Sequence, residues 1–164
     1  MKRTIRTRSP EETRELGKQI GAELNRGELI ALHGKLGTGK TQFVQGLAAG
    51  LGIKEAVLSP TFVFVKEARG RLPLAHVDLY RTHRPEDILE LNVLEYLDED
   101  WVVAVEWAEK GEPLFPRRRL DIRFSDEGET TRRIELETGE AELDPLLKKI
   151  HGFQSNSADN GTKT

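Results

Sequence analysis

The fold is decided by residues 29 to 51, which read LIALHGKLGTGKTQFVQGLAAGL. The apolar run Leu29 to Leu32 predicts a short buried strand. The apolar residues after Thr41 fall three and four apart, which predicts one face of a helix. The residues between, GKLGTGKT, satisfy the phosphate-loop pattern Gly-x-x-x-x-Gly-Lys-Thr. A loop of this type between a strand and a helix predicts a site for the phosphates of a purine nucleotide.

The residue types in this loop explain its chemistry. Glycines let the backbone curl so that successive N–H groups point at phosphate oxygens, and the helix start adds the positive end of its dipole. Lys40 is placed to reach the β- and γ-phosphates, and the Thr41 hydroxyl to ligate Mg²⁺. The predicted nucleotide contacts in the loop are Gly34, Lys35, Leu36, Gly37, Thr38, Gly39, Lys40 and Thr41.

Composition limits the remaining choices. The 164 residues suffice for one α/β domain, which we expect over residues 1–151, and the polar segment 152–164 is predicted to be disordered. With 25 basic and 28 acidic residues the net charge is −3, so a free-standing nucleic-acid binder is not indicated. The sequence has no cysteine, no apolar stretch that would span a bilayer and no signal-peptide pattern. A cytoplasmic protein without membrane contact is expected.

The rest of the chain alternates between predicted strands and helices. Two predicted strands joined by a turn at Ala68 to Arg71 indicate an antiparallel hairpin. Such a hairpin departs from a plain doubly wound sheet. The predicted elements are an edge strand Thr4–Arg8, a helix from Pro10, hairpin strands Thr61–Val65 and Leu72–Leu79, a helix from Pro85 through Leu97, a buried strand Val102–Val105, hairpin strands Leu120–Phe124 and Thr131–Leu136, and a helix Glu142–His151.

Four residues outside the loop are candidates for chemistry. A phosphate loop needs a second acid for magnesium at the end of a neighbouring strand, and Glu106 has that position. Trp107 follows it, either as a packing residue or beside the nucleotide. Asp78 either orders the attacking water or is a strand-end or turn carboxylate. Thr61 lies where nucleotide switches place a hydroxyl that senses the γ-phosphate or the metal.

Five elements, in this order and at these intervals, resemble the TsaE family, which supplies the ATPase for threonylcarbamoyladenosine formation in bacterial tRNA: GKLGTGKT, LSPTF, HVDLYR, EDILELN and VEW. The resemblance covers about Ser9 to Phe124. It implies a P-loop NTPase-like fold, with a mainly parallel central sheet flanked by antiparallel strands and helices. It also implies ATP with Mg²⁺ held through Thr41 and Glu106, and roles near the phosphates for Thr61 and Asp78.

The same resemblance places Trp107 close to the nucleotide, and the segment with Arg8 and Pro10 near the adenine. Three positions depart from the family pattern. Lys35 stands where an acidic residue is usual, Gln42 where a second threonine is usual, and Asn92 where glycine is common. None of them is assigned to magnesium.

The leading interpretation is a Mg²⁺-dependent ATPase that drives or resets a tRNA-modifying complex of TsaD and TsaB, and meets tRNA only through that complex. Arg81 is a candidate for an arginine finger, but no arginine is obviously placed as one, so turnover is expected to be slow without partners. Two alternatives stay open: a nucleotide-gated assembly scaffold with incidental hydrolysis, and a small-molecule P-loop kinase. A GTPase is disfavoured because the base-reading motif Asn-Lys-x-Asp does not occur.

Overall fold

A computed structural model describes residues 1–35, 37–55 and 64–155, with the backbone alone at 154 and 155. The described strands form one sheet in the order β3-β4-β5-β2-β6-β7-β1-β8. The strands are β1 Lys2–Thr7, β2 Leu29–His33, β3 Val65–Ala68, β4 Leu74–Asp78, β5 Val102–Glu106, β6 Leu120–Asp126, β7 Arg132–Thr138 and β8 Gln154–Ser155. The helices are α1 Pro10–Glu23, α2 Lys40–Gly50, α3 Pro85–Glu90, α4 Val93–Asp98 and α5 Asp144–Lys148.

The centre of the sheet is parallel and its flanks are antiparallel. Strands β4, β5, β2 and β6 run parallel to one another, whereas β3 on one side and β7, β1 and β8 on the other pair antiparallel. Strands β2, β4 and β5 are mainly apolar and buried on both faces, as parallel strands usually are, whereas β6 carries polar residues and its last two residues are exposed. The predicted α/β class with a mainly parallel centre and antiparallel flanks is confirmed. Its parallel strands direct their carboxyl ends to one edge, where ligands bind in open α/β sheets.

Helices α1 and α2 cover one face of the sheet and pack closely against each other. Close packing requires small residues where the two backbones meet. A Cβ at Gly46 would collide with the carbonyl oxygen of Arg14, and one at Gly17 with that of Phe43. The N-terminal end of α2, which carries the phosphate loop, is therefore held against α1.

Four predicted elements differ from the observed ones. Strand β1 lies between β7 and β8 rather than at the edge. The helix predicted from Pro85 through Leu97 is two short helices, because Asn92 between them takes a left-handed conformation with φ 53°. The last helix, α5, is limited to Asp144–Lys148, after a turn of 3-10 helix at Ala141–Leu143. In the first hairpin, β3 begins at Val65, and residues 61–63 lie outside the described part.

The prediction of a disordered tail from residue 152 is wrong at its start. Gln154 and Ser155 pair antiparallel with Arg6 and Ile5, and the half-buried Phe153 packs against the main core. A strand of two residues is too short to show the alternation of apolar and polar residues by which strands are predicted from a sequence. Residues 156–164 lie outside the described part.

We expect Phe153→Ala to lower the free energy of unfolding by about 1–2 kcal/mol, less than for a fully buried phenylalanine, because this ring is only partly covered. A thermal melt should show a decrease of a few degrees, since about 1 kcal/mol corresponds to roughly 2–4 °C in a protein of this size. Leu89→Ala is the control, because Leu89 is 56% exposed. Equal melting temperatures for the two variants would show that Phe153 does not contribute to the core.

Candidate nucleotide-binding site

The phosphate loop follows β2 directly and ends where α2 begins. Gly37 and Gly39 have φ values of 80° and 101°, a region that side-chain-bearing residues avoid, so the loop can curl only with glycine there. Thr38 closes the turn, because its hydroxyl donates to the carbonyl oxygen of Lys35 at 2.7 Å. Lys35 itself is exposed, and Leu36 lies outside the described residues.

Lys40 is the buried cation of the site. Its side chain is among the buried charged groups, at 4% exposure, and its Nζ donates to the carbonyl oxygen of Gly34 at 2.6 Å. An ammonium carries three donors, so this bond leaves donors for phosphate oxygens. Burial lowers the pKa of Lys40, and the negative charges of Glu106, Glu109 and Asp78 act in the opposite direction.

Trp107 lies against this lysine. The Nζ atom of Lys40 is 3.9 Å from the centroid of the Trp107 ring, a cation–π distance. Trp107 has φ 57°, an unusual conformation for a bulky residue, and its ring is 5.0 Å from that of Tyr80. The sequence left open whether Trp107 packs or lies at the nucleotide site, and the structure puts its ring beside the phosphate-loop lysine.

Thr41 and Glu106 meet at the carboxyl ends of β2 and β5. Glu106 is the last residue of β5 and lies opposite Leu32 of β2 and Asp78 of β4. Its Oε1 is 3.5 Å from the Thr41 hydroxyl. Two neighbouring ligands of octahedral Mg²⁺ lie about 3 Å apart, and the ion prefers hard oxygen donors. The residues therefore fit magnesium, with the remaining positions left to phosphate and water.

Asp78 ends β4 beside Glu106. Its Oδ1 accepts a hydrogen bond from the backbone N–H of Tyr80 at 2.9 Å, so it does cap the turn that follows. Burial raises the pKa of Asp78, and the neighbouring Glu106 charge adds to this rise, whereas the Tyr80 hydrogen bond, His76 and Lys40 oppose it. The two predicted roles, turn carboxylate and site residue, are thus compatible in one side chain.

His76 was not predicted to have a role. Its Nε2 lies 2.6 Å from Oε2 of Glu106, and its side chain is 1% exposed. Strand alternation does place His76 and Asp78 on one face, which was the signal available in the sequence. The partner, Glu106, is 30 residues away, and spacing along the chain does not reveal it.

A second histidine makes polar contacts at the end of β2. His33, the residue before the phosphate loop, has Nε2 at 2.8 Å from Oδ1 of Asp121 on β6. Arg119 reaches the other Asp121 oxygen at 3.0 Å. Burial acts to raise the pKa of Asp121, but the hydrogen bonds from His33 and Arg119 outweigh it and hold that pKa below its ordinary value. This network ties the end of β2 to β6.

The start of α1 also lies at the loop. A Cβ at Gly39 would come within 3.6 Å of Thr13, whose hydroxyl is 2.7 Å from that of Thr7. Ser9 caps α1 and Pro10 is its first residue. The segment with Arg8 and Pro10 therefore lies on the α1 side of the phosphate loop, and its predicted adenine contact stays a prediction.

One further arginine touches the loop from the opposite side. The guanidinium of Arg132, at the start of β7, donates to the carbonyl oxygen of Gly37 at 3.3 Å and pairs with Asp126 at 3.0 Å. It links the β6–β7 hairpin to the loop. This contact could not be predicted from spacing along the chain, because residues 37 and 132 are brought together by the strand order of the sheet.

Five of the predicted site residues converge at one edge of the sheet: Lys40, Thr41, Asp78, Glu106 and Trp107. Thr61, predicted to lie near the phosphates, falls outside the described residues. Within the described residues no group of three or more His, Cys, Asp or Glu side chains is arranged to hold a metal ion.

This fold and this site define a P-loop NTPase-like protein, with a nucleotide-binding loop at the carboxyl edge of a mainly parallel sheet. The family model described as "Threonylcarbamoyl adenosine biosynthesis protein TsaE" matches residues 7–134. The chain belongs to the TsaE family.

Curated relatives and a solved structure agree. The tRNA threonylcarbamoyladenosine biosynthesis protein TsaE of Bacillus subtilis is 42% identical over 130 residues, which cover 79% of this chain and 81% of that protein. The protein of the same name from Nostoc sp. is 40% identical over 131 residues, 77% of this chain and 80% of its own length. The crystal structure of B. subtilis YdiB superposes with a TM-score of 0.78 at 34% identity, covering 90% of this chain and 93% of that one. The resemblance found in the sequence is confirmed.

None of the helices in the described residues is long and apolar enough to cross a membrane.

Proposed function

We propose that this protein is a Mg²⁺-dependent ATPase of tRNA threonylcarbamoyladenosine formation, acting in the cytoplasm on the TsaD–TsaB complex. The observation that carries the proposal is the meeting of Lys40 and Thr41, at the start of α2, with Glu106, at the carboxyl end of β5. One buried cation and two oxygen donors at a glycine-rich loop are the parts that ATP with magnesium requires.

The roles follow from the positions. Lys40 and the loop N–H groups bind the phosphates and compensate the charge that develops on them as the γ-phosphoryl is transferred. Thr41 and Glu106 would hold magnesium, which when bound neutralises phosphate charge. Asp78, beside Glu106, orients the water for in-line attack, and Trp107 lines the site next to Lys40.

The kinase alternative is disfavoured by the ion pairs of the run Arg117 to Arg119, the segment that would have to serve as an arginine-bearing lid. A kinase lid carries arginines that can close on the phosphates. Arg118 instead pairs with Glu28 at 2.6 Å, and Arg119 with Asp121 at 3.0 Å. The scaffold alternative has the same site and differs only in whether hydrolysis is used.

Phosphate release separates the ATPase from the scaffold. We expect slow release by the protein alone, and a large increase when TsaD and TsaB are added, because no arginine finger is evident among the described residues. The full chain should be assayed with ATP and Mg²⁺, with Lys40→Met as the control for contaminating activity. No stimulation by the partners, together with complex formation that still needs ATP, would favour the scaffold.

Thr41→Ala and Glu106→Ala should each raise the Mg²⁺ concentration needed for half-maximal hydrolysis by on the order of 10-fold or more, because each removes one of the two protein oxygens at the metal position. Gln42→Ala is the matched control: Gln42 is next to Thr41 on α2, but its side chain accepts from Arg14 of α1. Magnesium titrations of hydrolysis measure the effect. Either residue loses its assignment if its variant keeps the parent's magnesium requirement.

A further inference from the structure

His76 is a buried polar side chain that the proposed mechanism does not use. It lies on β4 opposite Ala104 of β5, two residues before the pair Asp78 and Glu106. Because side chains alternate along a strand, His76 and Glu106 project from the same face. The imidazole Nε2 approaches Glu106 Oε2 to 2.6 Å, while both side chains are almost fully buried.

The direction of this hydrogen bond is fixed by its partners. A glutamate that binds magnesium is a carboxylate and can only accept, so in that role of Glu106 the proton of this hydrogen bond is on Nε2 of His76. The other ring nitrogen, Nδ1, has no hydrogen-bond partner among the described residues. Among the described residues, Glu106 is therefore the hydrogen-bond partner of this ring. This hydrogen bond explains why a histidine rather than an apolar residue occupies a buried strand position.

The two oxygens of the Glu106 carboxylate have different neighbours. Oε2 accepts from His76, and Oε1 faces the Thr41 hydroxyl at 3.5 Å. A glutamate side chain has three rotatable bonds, and most of its rotamers would take Oε1 away from Thr41. A short hydrogen bond to Oε2 selects the rotamer in which Oε1 stays there.

We infer that His76 is a positioning residue that presets Glu106 as a magnesium anchor. The inference rests on the proposed function and deepens it: His76 determines how much Mg²⁺ the protein needs, and leaves metal-free ATP binding unchanged. Partners of this kind, one bond removed from a metal, typically change metal affinity or activity by 10- to 100-fold.

Glutamine and asparagine at position 76 test this role, because their amide nitrogens extend to different distances from the backbone. The amide nitrogen of glutamine lies about where Nε2 of histidine does, whereas that of asparagine ends near Nδ1. His76→Asn should therefore lose the bond to Glu106 and raise the half-maximal Mg²⁺ concentration for hydrolysis by about 10-fold or more. His76→Gln should retain most of the parent's requirement. Titration calorimetry in EDTA should give the same ATP affinity for both variants and the parent.

Several results would overturn the inference. An unchanged magnesium requirement in His76→Asn would do so, as would an equal increase in both amide variants, or a loss of ATP affinity in EDTA. If His76→Asn does not fold in a thermal melt, His76→Leu, which has a volume similar to that of histidine, replaces it with the same expectation. In a Glu106→Ala background, His76→Asn should cause no further change in magnesium dependence, and an additional increase would contradict the role.

The parent protein separates this inference from the proposed function. A parent that neither binds ATP more tightly with Mg²⁺ nor hydrolyses it would refute the proposed function, and the inference with it. A magnesium-dependent parent beside an unaffected His76→Asn variant would refute only the role of His76.

Discussion

Lys40→Met is expected to reduce ATP affinity by at least about 100-fold, which corresponds to about 2.7 kcal/mol, while leaving the fold intact. The loss is large because Lys40 is the buried cation of the loop, with its Nζ at 2.6 Å from the Gly34 carbonyl oxygen. Hydrogen bonds to charged groups contribute about 1.5–3 kcal/mol each, and an ammonium can make more than one to phosphate. Titration calorimetry with ATP and Mg²⁺ measures the change.

The stability of the variant should not fall with its affinity. Burial lowers the pKa of Lys40, which means that the fold disfavours its charge, and methionine keeps a chain of similar length. The melting temperature without nucleotide is therefore expected to equal or exceed that of the parent. Lys149→Ala is the matched control, since it removes an equal charge from an exposed pair with Glu23 at 2.8 Å. ATP affinity in Lys40→Met equal to that of this control would refute the phosphate-loop assignment.

The parts of the site that could be predicted from sequence are those fixed by local spacing. The phosphate loop needs glycines, lysine and threonine at set positions between a strand and a helix, and all of these are within 23 contiguous residues. Glu106 could be found because it directly follows four apolar residues, and the carboxyl ends of parallel strands meet at one edge. For the phosphate loop and Glu106, the local sequence pattern and the rule about the carboxyl ends of parallel strands were sufficient to predict the site.

The contacts that could not be predicted depend on register between distant strands. His76 meets Glu106 because β4 and β5 pair with Asp78 opposite Glu106. A shift of one residue in that pairing would turn His76 away from the carboxylate. Arg132 reaches Gly37, and β8 converts β1 from an edge to an interior strand, for the same reason. Sequence spacing does not specify such pairings.

Asn92 shows a different limit. The apolar residues from Ile88 to Leu97 predict one helix, and helix propensity does not exclude an asparagine inside it. Asparagine also tolerates the left-handed conformation better than most residues, and the chain uses that property to end α3 and begin α4. The resemblance did carry a signal, because glycine, which favours the same conformation, is common at this position in the family.

Asp78→Asn is expected to bind ATP about as well as the parent and to hydrolyse it on the order of 10² to 10³ times more slowly, equivalent to about 3–4 kcal/mol in the activation barrier. Asparagine is the informative substitution because its side-chain oxygen can still accept from the Tyr80 N–H, the bond that Asp78 makes at 2.9 Å. The turn is therefore kept, and only the charge beside Glu106 is lost.

The charge itself is unfavourable in the folded protein, which sharpens the test. Burial raises the pKa of Asp78, so the folded state takes up a proton more readily than the unfolded state, and this carboxylate costs stability once the pH rises above its unfolded pKa. Asp78→Asn should consequently melt at the same temperature as the parent or higher at neutral pH, whereas Asp78→Ala should melt lower because it also loses the cap. Single-turnover hydrolysis with TsaD and TsaB present measures the chemical step. A carboxylate that only caps the turn predicts full activity for Asp78→Asn, and a residue that orients water predicts a stable, ATP-binding and nearly inactive protein.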